Sequence, residues 1–177
     1  MTAVQGMGMR IIYRLFFWVL LSAAASLRLI AGPPSVVPSH ITWGTPASPP
    51  APPASMSRQI LVFVNEYRRS KGLPALQPNS FISSVALGHS RDMLTGKTPF
   101  GHDGFRDRIN RISGRLGKLH VAAENVASGP MRAREVVDGW LHSPGHRRNI
   151  EGDFRLTGIG LAEGHNGMIY FTQIFVR

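Results

Sequence analysis

Two histidines, a glutamate, a serine and a tyrosine in this chain stand in settings where side chains could do chemistry. His102 lies in Gly101-His102-Asp103-Gly104-Phe105-Arg106, and Glu124 begins Glu124-Asn125-Val126-Ala127. Ser143 and His146 lie in Trp140-Leu141-His142-Ser143-Pro144-Gly145-His146-Arg147-Arg148-Asn149, and Tyr170 opens Tyr170-Phe171-Thr172-Gln173-Ile174-Phe175. An imidazole beside a carboxylate can act as a general acid–base pair, each group tuning the other. Such a pair can also be no more than a hydrogen bond that fastens local structure. Ser143 and His146 invite a nucleophile-and-base reading, with Glu124 or Asp138 orienting the imidazole. Ser143-Pro144 also has the form of a helix N-cap and first helical residue, with the hydroxyl accepting a backbone N–H. No Gly-x-Ser-x-Gly elbow accompanies that serine. His142 and His146 have the i, i+4 spacing of a ligand pair, but Pro144 and Gly145 break the helix between them.

The elements that must position these groups follow from periodicity. Ile60, Leu61, Val64 and Tyr67 recur at helical spacing from Ser57 to Lys71, with Gly72 as terminator. Pro78 and Asn79 open a second helix that runs to about Thr95 and turns Ile82, Val85, Ala86 and Met93 inward. His89 falls near that stripe and reads as a core or groove residue. A short third helix starts near Asp103, packs Phe105, Ile109 and Ile112, leaves Arg108 and Arg111 to solvent, and breaks at Gly114 and Gly117. Val121 to Val126 is extended. Met131 to Leu141 is a fourth helix with Val136, Val137, Trp140 and Leu141 toward the core. Thr157–Ala162 and Met168–Val176 form a hairpin through Gly164-His165-Asn166-Gly167, since Asn-Gly tolerates the positive φ of tight turns. Helices followed by strands give a mixed α/β (α+β) domain.

Ahead of this domain the composition changes twice. Arg10 and Arg14 precede the apolar run Leu15–Leu21, and Ser22-Ala23-Ala24-Ala25 follows, the pattern of a secretory signal peptide. Residues 1–32 therefore read as a signal peptide cut at about Ala25, with an uncleaved anchor as the alternative. Residues 33–56 are a Pro-rich tether, with Pro49-Pro50-Ala51-Pro52-Pro53 extended and solvated; residues 57–177 form the domain. The expected address is secreted or extracytoplasmic. The chain has no cysteine, which excludes thiol catalysis and thiolate metal sites. Its formal charge is +10. Removing Arg10, Arg14 and Arg28 from the 20 basic residues leaves 17 against 10 acidic ones, a net +7. That field favours anionic surfaces; nucleic acid is not an expected partner, because no reader motif is present.

Taken together and in this order, the four motifs resemble the bacterial, cysteine-free branch of the CAP superfamily, also called SCP-like: cysteine-rich secretory proteins, antigen 5 and plant pathogenesis-related proteins. The resemblance spans Ser57 to Arg177. It implies a three-layer α-β-α sandwich with an open cleft. In many eukaryotic relatives that cleft holds two histidines and two glutamates, and in some of them the histidines hold a metal ion. His102 matches the first histidine and Glu124 the first glutamate. Ser143 stands where the second glutamate belongs and Tyr170 where the second histidine belongs, so two of four positions depart. His146, from the bacterial Ser-Pro-Gly-His-Arg motif, is expected to fill part of the vacated space. Asn125, Trp140, Pro144, Gly145 and Gln173 read as the structural part of the motifs. For zinc, His102, Glu124 and His146 are the three candidate ligands, with an open fourth position. The expected function is exported, non-catalytic binding of a small-molecule, lipid or envelope-polymer ligand in the cleft of His102, Glu124, His146 and Tyr170. The alternative is a metal-assisted or His/Glu-based hydrolase acting on peptides or envelope polymers.

Overall fold

Strands that place apolar residues on both faces need cover on both sides, and here helices supply it. The computed structural model describes residues 53–177; the expected signal peptide and most of the expected tether lie outside the described residues. In chain order the elements are α1 (Pro53–Ser70), β1 (Gln77–Pro78), α2 (Ser80–Leu94), α3 (Phe105–Leu116), β2 (Ala122–Gly129), α4 (Ala133–His142), α5 (Pro144–Glu151), β3 (Leu156–Glu163) and β4 (Ile169–Val176). The sheet order is β1-β3-β4-β2. β4 pairs antiparallel with β3 and β2, and the two-residue β1 pairs parallel with β3.

Successive strand side chains point to opposite faces, so each strand feeds two cores. On one face, Ala123, Ile159, Leu161, Phe171 and Phe175 pack with Ile60 and Val64 of α1, Val136, Val137 and Trp140 of α4, and Ile150 of α5. On the other, Ala122, Ile174 and Val176 meet Ile82, Val85 and Ala86 of α2 with Phe105, Ile109 and Ile112 of α3. The result is the expected three-layer α-β-α arrangement. Asn79 caps α2 as expected, its Oδ1 accepting the Ile82 N–H at 3.1 Å. Inside the first core the buried Arg68 guanidinium donates to the carbonyls of Pro74, Ile150 and Gly152 at 2.8, 2.6 and 2.9 Å, fixing the loops after α1 and α5.

The structure corrects several boundaries. α1 begins at Pro53, not Ser57, and Met56 is already buried in its core. Gly114 does not break α3, because the stripe Phe105–Ile109–Ile112 is buried through that turn; one helical glycine costs only about 1 kcal/mol. Gly117, at φ +92°, ends the helix instead. Pro144 to Glu151, whose start the Ser143-Pro144 pair suggests but whose extent the sequence leaves open, is a helix of its own.

β3 carries two glycines where α2 crosses it. A Cβ on Gly160 would collide with the backbone at Ala86 and Leu87, and one on Gly158 with the backbone at Ile82 and Ser83. Backbone cannot yield as a side-chain tip can, so Gly160→Ala lowers unfolding free energy by at least about 1–3 kcal/mol; a urea melt with an unshifted midpoint would refute the close packing. Trp140 is buried and its Nε1 donates to the Val126 carbonyl at 3.2 Å. Trp140→Ala is expected to cost about 3–5 kcal/mol in the same experiment, and a surface-like effect below about 1 kcal/mol would remove it from the core.

Candidate functional site

The site is built on β2, which lies at the edge of the sheet, and on the alternation of its residues. Glu124 points toward α2 and α3, and its neighbour Asn125 toward the opposite layer. The Glu124 carboxylate is buried, the residue only 5% exposed. Arg108 of α3 grips it bidentately, Nε donating to Oε2 at 2.8 Å and a terminal nitrogen to Oε1 at 2.7 Å. Parallel N–H···O bonds of this kind are among the stronger hydrogen bonds proteins make. The other terminal nitrogen of Arg108 donates to the Asp103 carbonyl at 2.7 Å. That bond wraps the loop before α3 around the guanidinium and delivers His102 to the carboxylate.

His102 Nδ1 lies 2.9 Å from Glu124 Oε1. A carboxylate accepts, so Nδ1 carries the proton and Nε2 is left as the free nitrogen of a side chain that is 26% exposed. Behind it stands His89 of α2, with Nδ1 3.3 Å from Thr172 Oγ1 and 3.6 Å from Glu124 Oε2. Burial pulls the His89 pKa down to about 4, outweighing the opposing pull of Glu124.

α5 is stitched along the free edge of β2. Asn125 Nδ2 donates to the His146 carbonyl at 3.2 Å, while Asn149 Nδ2 donates to the Glu124 carbonyl at 3.1 Å and to Asn125 Oδ1 at 2.9 Å. His146 is thereby held in electrostatic range of His102: burial first, and His102 second, lower its pKa to about 4. Tyr170 stands on the same sheet face as Thr172, four residues along β4 from Ile174, the partner of Glu124. Its ring packs against exposed Phe100, centroids 6.4 Å apart, two residues before His102. The structure thus brings His102, Glu124 and His146 together, with Tyr170 at the far end of the same face.

Three expectations change. Ser143 joins α4 to α5, but its hydroxyl makes no capping bond, and no hydrogen bond links it to His146 among the described residues; its backbone carbonyl instead accepts from Arg147 at 2.9 Å. The nucleophile reading lacks its proton path. Zinc ligation by His102, Glu124 and His146 does not fit either, because both Glu124 oxygens are already held by Arg108 and His102. No group of three or more histidines and carboxylates among the described residues converges as metal ligands. Arg108, expected in solvent, is buried and is the principal partner of Glu124. A signal for it existed: Phe105, Arg108, Ile109 and Ile112 occupy the i, i+3, i+4 and i+7 positions of one helix face. Gln173 is buried on β4 opposite Asn125, donating to Thr157 Oγ1 at 3.2 Å, as a structural residue should. Pro144 occupies the first turn of α5, and His142 lies apart from His146 at the end of α4, its Nδ1 2.7 Å from the Asp138 carbonyl.

Comparison with known proteins agrees with this architecture. The model of the CAP, or cysteine-rich secretory protein, family matches residues 61–175, and the chain belongs to that family. It is 32% identical over 125 residues to the uncharacterized membrane protein YlbC of Bacillus subtilis, covering 68% of this chain and 34% of the relative. It is 30% identical over 135 residues to the uncharacterized protein YkwD of the same organism, covering 75% and 51%. The chain therefore spans about a third to a half of the length of these curated relatives. A solved extracellular protein containing an SCP domain, from Bacillus anthracis, is 29% identical with a TM-score of 0.62 over 74% of this chain and 45% of that one.

Both low-pKa histidines regain a value near 6.5 on unfolding. Between pH ~6.5 and about 4 the unfolded chain binds more protons than the folded one, so stability falls as pH falls through that window. The His89 share approaches about 1.4 kcal/mol per pH unit, and partly exposed His146 adds less. Urea denaturation should give a plateau above about pH 7 and a decline from about pH 6.5 to 5; a flat profile across that range would contradict a neutral His89 and His146 in the folded chain.

Proposed function

We propose that this member of the CAP family is an exported, non-catalytic binding protein. Its open face around His102, His146 and Tyr170 takes a small uncharged or amphiphilic ligand drawn from the cell envelope. The observation that carries the reading is the bidentate capture of Glu124 by Arg108. A carboxylate held this way is a poor general base and a poor metal ligand, and its charge is cancelled where it sits. What remains to meet a ligand is the free nitrogen of His102, the neutral His146 imidazole, and the Phe100–Tyr170 aromatic pair. Hydrogen-bonding groups beside an apolar wall suit a ligand with hydroxyl or amide groups on a hydrophobic frame.

The address supports the same reading. The basic, apolar and Ala-rich start of the chain has the order of an export signal, and the solved Bacillus anthracis relative is described as extracellular. YlbC is described as a membrane protein, so attachment at the outer face of a membrane is compatible with binding there. The net positive charge would hold the domain close to anionic envelope surfaces.

One geometric feature favours a hydrolase as the second reading. Glu124 orients His102 through Nδ1, as the acid of a catalytic triad orients its base. No nucleophile follows from it, since Ser143 is not bonded to either histidine among the described residues.

The test uses the exported chain and its His102→Ala variant. Native mass spectrometry should find a small molecule retained by the wild type and lost from His102→Ala, with thermal midpoints within a few degrees of each other. Equal retention in both proteins would move binding away from this face. Hydrolysis of a peptide or envelope polymer that His102→Ala abolishes would establish the hydrolase instead.

A further inference from the structure

The end of the sandwich where α3 stops carries an apolar and cationic rim that the packing of the domain leaves unused. Leu116, in the last turn of α3, is 38% exposed. Among the described residues only Val62 and Phe100 are exposed large apolar side chains besides it. Three further apolar side chains stand half-buried against the second core: Leu119 after α3, Phe81 in the first turn of α2 and Leu156 at the start of β3. Backbone hydrogen bonds gather these segments at one end of the sheet. The Arg155 N–H donates to the Val176 carbonyl at 3.1 Å, the Val121 N–H to the Arg177 carbonyl at 3.2 Å, and the Asn79 N–H to the Thr157 carbonyl at 2.9 Å. The His102 loop precedes the other end of α3, about 16 Å away along the helix axis.

Cations flank the rim. Arg111 and Arg115 share one face of α3, Lys118 follows its terminal Gly117, and Arg155 precedes Leu156; all four are exposed. None of them is in an ion pair among the described residues. Between Asp107 and Glu124 the sequence has no acidic side chain, and Asp153, two residues before Arg155, is taken by Arg177 at 2.8 Å. A helix C-terminus favours a cation in its last turn, which accounts for Arg115. It gives no reason for Lys118 or Arg155, nor for a leucine among them.

We infer that this rim docks the domain on a bilayer surface that contains anionic phospholipid. The guanidinium and ammonium groups meet lipid phosphates, each basic residue strengthening partition about fivefold. Leu116 and its half-buried neighbours enter the boundary between headgroups and acyl chains. Charge complementarity makes the partner anionic, and the apolar tips among the cations make it a surface with an apolar phase. The inference rests on the outward address proposed above but not on the ligand face, which belongs to the other end of α3.

The chain has no cysteine, so Leu116→Cys or Val62→Cys gives the full chain a single position for an environment-sensitive fluorophore. Vesicles of equal parts phosphatidylglycerol and phosphatidylcholine should shift the emission of the Leu116→Cys label to the blue. The Val62→Cys label, on α1 in the opposite layer, should not shift, and pure phosphatidylcholine should shift neither. Because the label reports its own surroundings, lipid binding by the apolar run Leu15–Leu21 does not imitate docking of the rim. Arg111→Gln, Arg115→Gln and Lys118→Gln together should raise the lipid concentration at half-shift about a hundredfold. Arg58→Gln, Arg69→Gln and Arg148→Gln remove the same charge from the opposite layer and should change it less than about threefold. No shift at Leu116→Cys, equal shifts at both labels, or equal losses in the two charge variants would overturn the surface. The same shift with soluble polyphosphate would overturn its assignment to lipid.

Discussion

The buried ion pair between Glu124 and Arg108 is the interaction on which the rest of the site depends. Two charges taken out of water are tolerable only if each is fully engaged. Here the carboxylate accepts from the guanidinium at 2.7 and 2.8 Å and from His102 at 2.9 Å. The remaining guanidinium nitrogen is used by the Asp103 carbonyl. One pair thus sets the path of the loop before α3, the tautomer of His102 and the electrical neutrality of the floor. Truncating either partner would strand the other in a low-dielectric layer, which typically costs about 3–5 kcal/mol. The same logic turns the chemistry away from a free carboxylate base and toward recognition.

β2 carries a second consequence of strand geometry. Because consecutive side chains leave on opposite faces, Glu124 ties the sheet to α3 while Asn125 ties it to α5. Adjacent residues in one motif therefore lock both helical layers to a strand that would otherwise present an open edge. His146 arrives beside His102 through this second tie, carried by a helix from the opposite layer. With no disulfide to brace it, the domain relies on these polar ties, on the Arg68 carbonyl cluster and on two apolar cores.

Sequence speaks clearly where one local rule governs. The Asn-Gly turn announces the β3–β4 hairpin, Asn79 announces the start of α2, and the apolar stripes locate four helices, one of them carrying Trp140. The His102–Glu124 contact follows from motif resemblance, not from spacing, since 22 residues separate the pair. The failures share a cause. Charge alone assigns Arg108 to solvent, although its position on the α3 stripe points inward. Propensity alone breaks the helix at Gly114, although burial of one helix face overrides a single glycine. Ser143 shows the converse: the N-cap position is correct, but the hydroxyl leaves it unused.

A double-mutant cycle on Arg108→Met and Glu124→Gln, measured by urea denaturation at about pH 7.5, above the window in which the buried histidines titrate, tests the central claim most directly. If the pair organises the site, each single change costs about 3 kcal/mol or more. The double variant then costs well below the sum, giving a coupling of about 2 kcal/mol. Two single changes that each cost under about 1 kcal/mol and simply add would mean that Glu124 is not held by Arg108. The carboxylate would then be free to act as base or ligand, and the case for recognition over catalysis would fall.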